Sequence, residues 1–357
     1  MSNSLGNKLK ITIFGQSHAD AIGVVIDGFP AGFRPDMEQI AAFMQRRAPG
    51  RNRFSTTRKE DDIPNIVSGI VDGVTCGAPI CAEIANTNQR SKDYSGLMRT
   101  PRPSHADFTA IQKFGGAYDV RGGGQFSGRL TAPLCFAGAL CKQFLSDRGV
   151  HIGAQILEIA GIRDVSLDPV RVTREQLNAV AGKNFPVNDD EKGLLMQDAI
   201  EAARMELDSV GGIIRCFAVG VPAGLGDPMF GGVENRLAAA VFGVPAVRGV
   251  SFGLGFHAAR LRGSEHNDPF VTDGINVTTE TNNHGGILGG ITSGMPIVMD
   301  VAIKPTASIS REQRTVDLET MENTTLTIKG RHDPCIVPRA VPCIEAAAAV
   351  TLMDLML

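Results

Sequence analysis

The sequence predicts an α+β fold with helices sandwiched between sheets, and three observations carry that expectation. Strand and helix signals alternate along all 357 residues with no proline- or serine-rich hinge, so residues 1–357 read as one domain. The C-terminal segment "RAVPCIEAAAAVTLMDLML" is apolar nearly all round, the mark of a helix buried on every side. Hydrophobic residues make up 43% of the chain, enough to support a sizeable core around such a helix.

Each element follows from local chemistry. "LKITIFG" and "GVVIDGFP" are rich in β-branched residues and end at glycine or proline, so both read as strands. "DMEQIAAFMQRR" reads as a helix, with Asp36 at its N-cap and Arg46 and Arg47 in its last turn. "IVSGIVDGV" and "APICAEIAN" look like a strand pair, and Ser104 is placed to cap a short helix through Phe114. Residues 127–148 carry apolar side chains at 130, 134, 137, 141, 144 and 145, the spacing of a helix with one buried face. "HIGAQILEIAGI" is a strand, and "TREQLNAVAG" opens on the capping-box pattern Thr173-x-x-Gln176. Residues 189–208 form an amphipathic helix stopped by Gly211 and Gly212, followed by the strand "IIRCFAVGV". "ENRLAAAVFG" is a further helix, and "VRGVSFGLG" and "MPIVMDVAI" are strands.

Composition narrows the partners. Residues 1–130 carry 16 Lys and Arg against 12 Asp and Glu, whereas the remainder carries 19 against 26. A nucleic-acid surface would spread its basic excess and interleave aromatics. With no Trp, two Tyr and only local basic clusters, the chain suits a small anionic ligand and no nucleic acid. Seven cysteines without a CxxC imply a reducing compartment, with Cys135 and Cys141 packing as small hydrophobes. "MSNSLGNKLKITIFG" lacks a signal-peptide core, and no stretch approaches the ~20 apolar residues of a membrane span. A cytoplasmic protein with no membrane contact is expected.

Four segments carry polar chemistry. "FGQSHAD" ends a strand and contains His18, which by itself reads as a surface residue or local cap. "RRAPGRNRFSTTRKEDD" places six basic residues within fourteen positions, five of them arginine. Such a run is a solvated loop or, because arginine grips carboxylate and phosphate bidentately, a recognition surface. "TPRPSHADFTAIQKFGGAYDVRGGGQFSGRLTA" carries Arg102 and His105 and then sets Arg121 and Arg129 around a glycine turn at a helix N-terminus, a natural place for an anion. It matches neither a P-loop nor a dinucleotide fingerprint. The last region runs from "TNNHGGILGGITSG" through "IKPTASI" to "GRHDPCIVPRAVP". There Arg331 and Asp333 share a face if the backbone is extended, while an ordinary Asp-Pro turn is the alternative. No metal is expected: the histidines show no ligand spacing, and the arginines would repel a cation.

Taken in order, "FGxSHxxxxGVVIDGFP", "RRxPGxxR…TxRKEDD", "NTxQRSxDY", "RPxHADxT", "RGGGxxSxRxTA", "DSVGG", "GGILGGIxSG", "KPTxSI" and "GRHDPCxxPRAVP" resemble the chorismate synthase family. The similarity runs from about residue 8 to the C-terminus. It implies a lyase of the shikimate pathway, on the route to aromatic amino acids. Such enzymes convert 5-enolpyruvylshikimate 3-phosphate to chorismate and phosphate by 1,4-anti elimination, requiring reduced FMN without net oxidation. It also implies a β-α-β sandwich with two antiparallel sheets and a homotetramer. NADPH enters as an indirect reductant. With no large insertion to reduce flavin, an external flavin reductase is the expected partner.

Residue by residue, the resemblance assigns His18 as the acid for departing phosphate and His105 to the pyrimidine edge of reduced FMN. Asp333 would work with flavin N5 in removing the C6 proton. Arg47, Arg53, Arg102, Arg129 and Arg331 would hold substrate anions, and Arg47 and Arg53 also match NADP positions. Gln125, Phe126, Ser127, Gly289, Lys304, Pro305, Thr306, Ala307, Ser308 and Arg331 match FMN contacts. The chain departs from the family where "GESHG" becomes "GQSHA" and "RGGGRSSAR" becomes "RGGGQFSGR". Pro245 also replaces an expected asparagine. Gln125 and Phe126 thereby remove one positive charge and one hydroxyl from the flavin wall. A flavin- or nucleotide-binding protein with altered or lost lyase activity is therefore the alternative. An RNA-binding module built on residues 46–59 would lack stacking aromatics.

Overall fold

In the computed structural model, which describes residues 3–50, 62–86, 96–328 and 332–357, two five-stranded sheets flank a layer of helices. The first sheet has the order Ser4–Leu5, Lys10–Gly15, Ala21–Asp27, Ile80–Ala85, Asn65–Ser68, antiparallel at every step. The second has the order Val247–Phe252, Ile297–Ile303, Gly212–Val219, His151–Ile159, Ile162–Arg163, again antiparallel throughout. The α-helices are α1 (Met37–Arg47), α2 (Asp107–Phe114), α3 (Thr131–Ser146), α4 (Arg174–Ala181), α5 (Asp190–Met205), α6 (Val233–Phe242), α7 (Gly263–His266) and α8 (Val337–Met356).

The middle layer explains the apolar C-terminus. α3 packs on the first sheet, α8 on the second, and the two helices pack on each other. A Cβ at Gly138 of α3 would lie 2.2 Å from the Ala346 Cβ of α8, so glycine there permits the close approach. Ala346 to Ala349 are all buried. In the first sheet Ile80, Ala82 and Ile84 point inward while Cys81 and Glu83 do not, the period-2 alternation of a strand covered mainly on one face. His151–Ile159 instead buries six consecutive residues. α4 and α5 cover that strand's outer side, a layer beyond the sandwich expected from sequence. Leu167, Val172, Leu177 and Val180 close this outer core against Phe217 and Val298.

Local signals mostly hold, and the exceptions have physical causes. Asp36 caps α1 by accepting from the Glu38 and Gln39 amides at 3.0 Å, and Thr173 and Gln176 form the expected capping box. Ser104 does not cap α2: it lies at φ 57°, and the helix begins after Ala106 without a side-chain cap. The helix expected from residue 127 starts at Thr131, because a tight turn over Gly128–Leu130 precedes it. α5 ends at Met205, three residues short of the expected 208, and only Gly212 of the glycine pair belongs to the next strand. "IVSGIVDGV" is split: Asn65–Ser68 pairs with Ile80–Ala85, whereas Ile70–Val71 turns back on Val74–Thr75.

Glu345 is fully buried on α8, where Arg46 donates to it at 2.6 and 3.0 Å and Lys142 also pairs with it. Burial alone would raise this carboxyl, but the two cations overcome that and hold it down at about 2. Because the folded value is depressed, its contribution is present above the ordinary carboxylate range and is lost as pH falls toward 2. Glu345→Gln should therefore cost about 3 kcal/mol at neutral pH, by stranding two charges. Urea unfolding at a series of pH values checks this. A gap between wild type and variant that fails to shrink on acidification would refute the ion-pair account.

Candidate active site

One cavity of about 580 Å³ gathers most of the residues singled out in the sequence. That volume lies within the usual range for small-molecule sites. Its walls are the loop before α2, the glycine turn before α3, residues 243–246, residues 304–308 and the start of α8.

The glycine turn is dictated by its neighbours. Gly122, Gly123 and Gly124 all have positive φ, at 61°, 85° and 55°. A Cβ on Gly122 would sit 2.4 Å from the His18 ring and 2.5 Å from Ser17 Oγ, so only a bare backbone fits over that histidine. Gly128 also lines the cavity, and a Cβ there would meet nothing within 4 Å. Its missing side chain leaves the wall flat. Ser127 then closes the turn, its Oγ accepting from the Arg129 amide at 3.2 Å.

Asp62 neutralises two of the arginines. Its carboxylate accepts from Arg47 on one oxygen and from Arg129 on the other, with all three side chains at most 5% exposed. Burial raises this carboxyl, but the Arg47 and Arg129 guanidiniums prevail and lower it. Arg47 also donates to Thr131 Oγ1 at 3.1 Å and to the Gly128 carbonyl at 3.2 Å. Arg129 donates to Asn86 Oδ1 at 3.0 Å. The cationic run thus carries its own counter-ion at its end.

A second carboxylate, Asp107, organises the opposite wall. Arg102 grips it through Nε at 2.7 Å and Nη2 at 2.8 Å, and donates through Nη1 to Ser308 Oγ at 3.1 Å. His105 Nδ1 lies 2.7 Å from the same carboxylate. Burial again raises the carboxyl, but the Arg102 and His105 hydrogen bonds hold it well below the usual range. On the third side Asp333 pairs with Arg339, whose Nε donates to the Arg47 carbonyl at 3.0 Å. Thr306 Oγ1 donates to the Asp333 carbonyl at 2.9 Å, and Lys304 donates to the Ser104 carbonyl. Burial, then Arg248, pushes the Lys304 amine down.

Arg47, Arg102, Arg129, His105, Asp333, Gln125, Phe126, Ser127, Lys304, Pro305, Thr306, Ala307 and Ser308 therefore share one cavity wall. His18 does not line it; the side chain is 5% exposed and sits behind Gly122, with Ser17 in the wall instead. That revises its reading as a surface residue or local cap. Gly289 lies elsewhere, in the turn joining Ile287–Leu288 to Ile291–Thr292. Arg53 and Arg331 fall outside the described residues, as does the shared face expected of Arg331 and Asp333.

Sequence reasoning passed over Asp62, Asp107, Arg339 and Ser17. Asp107 could have been found as the acid two residues after His105 and five after Arg102. Arg339 follows Asp333 by six residues, a separation matching no local periodicity, and only the turn into α8 brings them together.

Among the described lining residues, Arg47, Arg102, Arg129, Lys304 and Arg339 are cations and Asp333 is the single carboxylate. With Asp62 and Asp107 behind them, positive charge remains in excess. Such a wall suits a ligand with several anionic groups, which would otherwise be costly to desolvate. Among the described residues, no group of three or more His, Cys, Asp or Glu is arranged to hold a metal ion.

The family model described as chorismate synthase matches residues 9–357. The chain is 46% identical over 357 residues to a chorismate synthase of Dehalococcoides mccartyi, covering 100% of this chain and 97% of that one. It is 47% identical over 349 residues to a chorismate synthase of Thermococcus gammatolerans, covering 98% and 96%. A solved structure titled "Crystal Structure of Chorismate Synthase" superposes with a TM-score of 0.77 at 28% identity, over 98% of this chain and 92% of that chain.

Proposed function

Because the chain belongs to the chorismate synthase family, a family of carbon–oxygen lyases in the shikimate pathway, we propose that the cavity between the Asp62 and Asp107 walls is where the elimination takes place. The single observation that supports this most is the charge of the wall: five cations converge on a space holding one carboxylate. 5-Enolpyruvylshikimate 3-phosphate brings two carboxylates and a phosphate. Arg47, Arg102 and Arg129, already oriented by Asp62 and Asp107, offer donors that need little reorganisation as charge builds on the leaving phosphate. Arg53 and Arg331 join this set in our reading. To Asp333, 8% exposed beside Arg339, we assign a part in removing the C6 proton together with the flavin. We assign the proton for the departing phosphate to His18; its ring lies behind Gly122 and does not line the cavity, so this role requires the glycine turn to open onto it.

The wall also fits FMN. Gln125 to Ser127 and Lys304 to Ser308 line the cavity, and the bare backbone at Gly128 leaves room for a flat ring. These residues would hold the cofactor, with His105 at its edge; when reduced, FMN supplies electron density for C–O cleavage without net oxidation. Gly289 lies away from this wall and is not included. We assign reduction of the flavin to an external reductase, with NADPH as the indirect source and Arg47 and Arg53 as the matching NADP positions.

A homotetramer is the assembly we propose. Phe230, Phe256 and Ile275 are 84%, 88% and 91% exposed, apolar surface that association would cover. No helix among the described residues is long and apolar enough to cross a membrane, and all seven cysteines are free thiols. A cytoplasmic location fits both.

Anaerobic incubation with 5-enolpyruvylshikimate 3-phosphate and reduced FMN should release phosphate and form chorismate. No release under those conditions would favour the second reading, a flavin- or nucleotide-binding protein on the same scaffold. One observation speaks for that reading: Gln125 and Phe126 stand in the flavin wall, with the Phe126 ring 6.4 Å from Phe114. The Gln125→Arg/Phe126→Ser variant should bind oxidised FMN more tightly, by about 1.5–3 kcal/mol for a restored charge-assisted bond. Superimposable fluorescence titrations of the two proteins would remove these positions from the flavin site.

A further inference from the structure

We infer that Asp107 is a positioning residue that fixes which nitrogen of His105 carries the ring proton. This deepens the lyase reading above and rests on it for its catalytic consequence.

Two contacts at His105 Nδ1 demand opposite tautomers. Arg102 Nη2 lies 3.0 Å away, which would make Nδ1 an acceptor, while Asp107 Oδ1 lies 2.7 Å away, which would make it a donor. An ionised carboxylate only accepts, so a lone pair on Nδ1 facing it at 2.7 Å would be strongly repelled. Arg102 Nη2 has its own acceptor in Asp107 Oδ1 at 2.8 Å, on the same side as the ring, so the proton pointing that way is already used. Nδ1–H therefore donates to Asp107, and both groups converge on one oxygen. In the neutral ring the lone pair is left on Nε2. That nitrogen faces the glycine turn, where a Cβ on Gly123 would lie 3.3 Å from it. His105 thus turns a proton acceptor toward the glycine turn, and Asp107 decides that it does.

The variant that tests this follows from the same contacts. The side-chain amide introduced by Asp107→Asn could place its NH₂ at either carboxylate position. At the Oδ2 position it would meet two donors, the Arg102 amide at 3.0 Å and Nε at 2.7 Å. At the Oδ1 position it would meet only Nη2 and the histidine ring, which can yield by moving its proton. Asp107→Asn should therefore turn His105 into the Nε2–H tautomer, leaving the fold and half of the Arg102 fork intact.

The measurement is long-range ¹H–¹⁵N correlation on ¹⁵N-histidine-labelled protein at alkaline pH, with His105 assigned by loss of its signals in His105→Gln. Wild type should show a protonated Nδ1 and a bare Nε2, and Asp107→Asn the reverse. Phosphate release by Asp107→Asn should show kcat lowered about 10²-fold or more, with KM changed far less. His105→Ala/Asp107→Asn should be no slower than His105→Ala alone. A wild-type Nε2–H tautomer overturns the inference, and so does an Asp107→Asn penalty that persists without His105. Should Asp107→Asn not fold, the wild-type spectrum decides by itself. The tautomer is read without substrate, so absent phosphate release would count against the lyase reading and not against the role of Asp107 at His105.

Discussion

Exchange of Asp333 for asparagine is expected to slow phosphate release about 10²–10⁴-fold while leaving binding of substrate and FMN largely intact. Asp333 stands in the cavity wall, its carboxylate pairs with Arg339, and Thr306 holds its backbone carbonyl at 2.9 Å. Asparagine keeps an oxygen for Arg339 and nearly the same shape, so the wall should survive. It cannot accept a proton, so the elimination should not. Anaerobic single-turnover phosphate release, run beside a binding titration, separates the two effects. Release at the wild-type rate would leave Asp333 as an anchor for Arg339 and nothing more.

Removal of the His18 ring is expected to reduce turnover by a similar factor, about 10²–10⁴, if that ring protonates the leaving phosphate. As a loop residue it should matter little for folding, but its burial beneath Gly122 changes that forecast. His18→Ala would leave a hole under the glycine turn, and a loss of about 1–3 kcal/mol should accompany the kinetic defect. His18→Gln fills more of the space and keeps polar atoms, yet it cannot act as an acid near neutral pH. Turnover should fall in both variants, whereas thermal stability should fall mainly in His18→Ala. Full activity in His18→Gln would assign the residue to packing alone.

The pattern of these outcomes reflects how information is distributed along the chain. Asp36 capping α1, the Thr173–Gln176 box and the alternation through Ile80–Ala85 depend on neighbours a few residues away, so local chemistry sufficed to read them. The apolar C-terminus announced a helix buried on all sides for the same reason, and ordered motifs placed most of the cavity wall in one family. Which charge meets which was a different matter. Asp62 joins Arg129 across 67 residues, Arg102 reaches Ser308 across 206, and Arg46 meets Glu345 across 299. The Asn7 amide finds the Asp354 carboxylate across 347. A motif supplies residue types, but a buried carboxylate is matched to a guanidinium only by the path of the chain around the core. The same holds for His18. "GQSHA" shows that a histidine follows a strand in its loop, and only the glycine turn folding over it from residue 122 decides that its ring lies behind the wall and not in it.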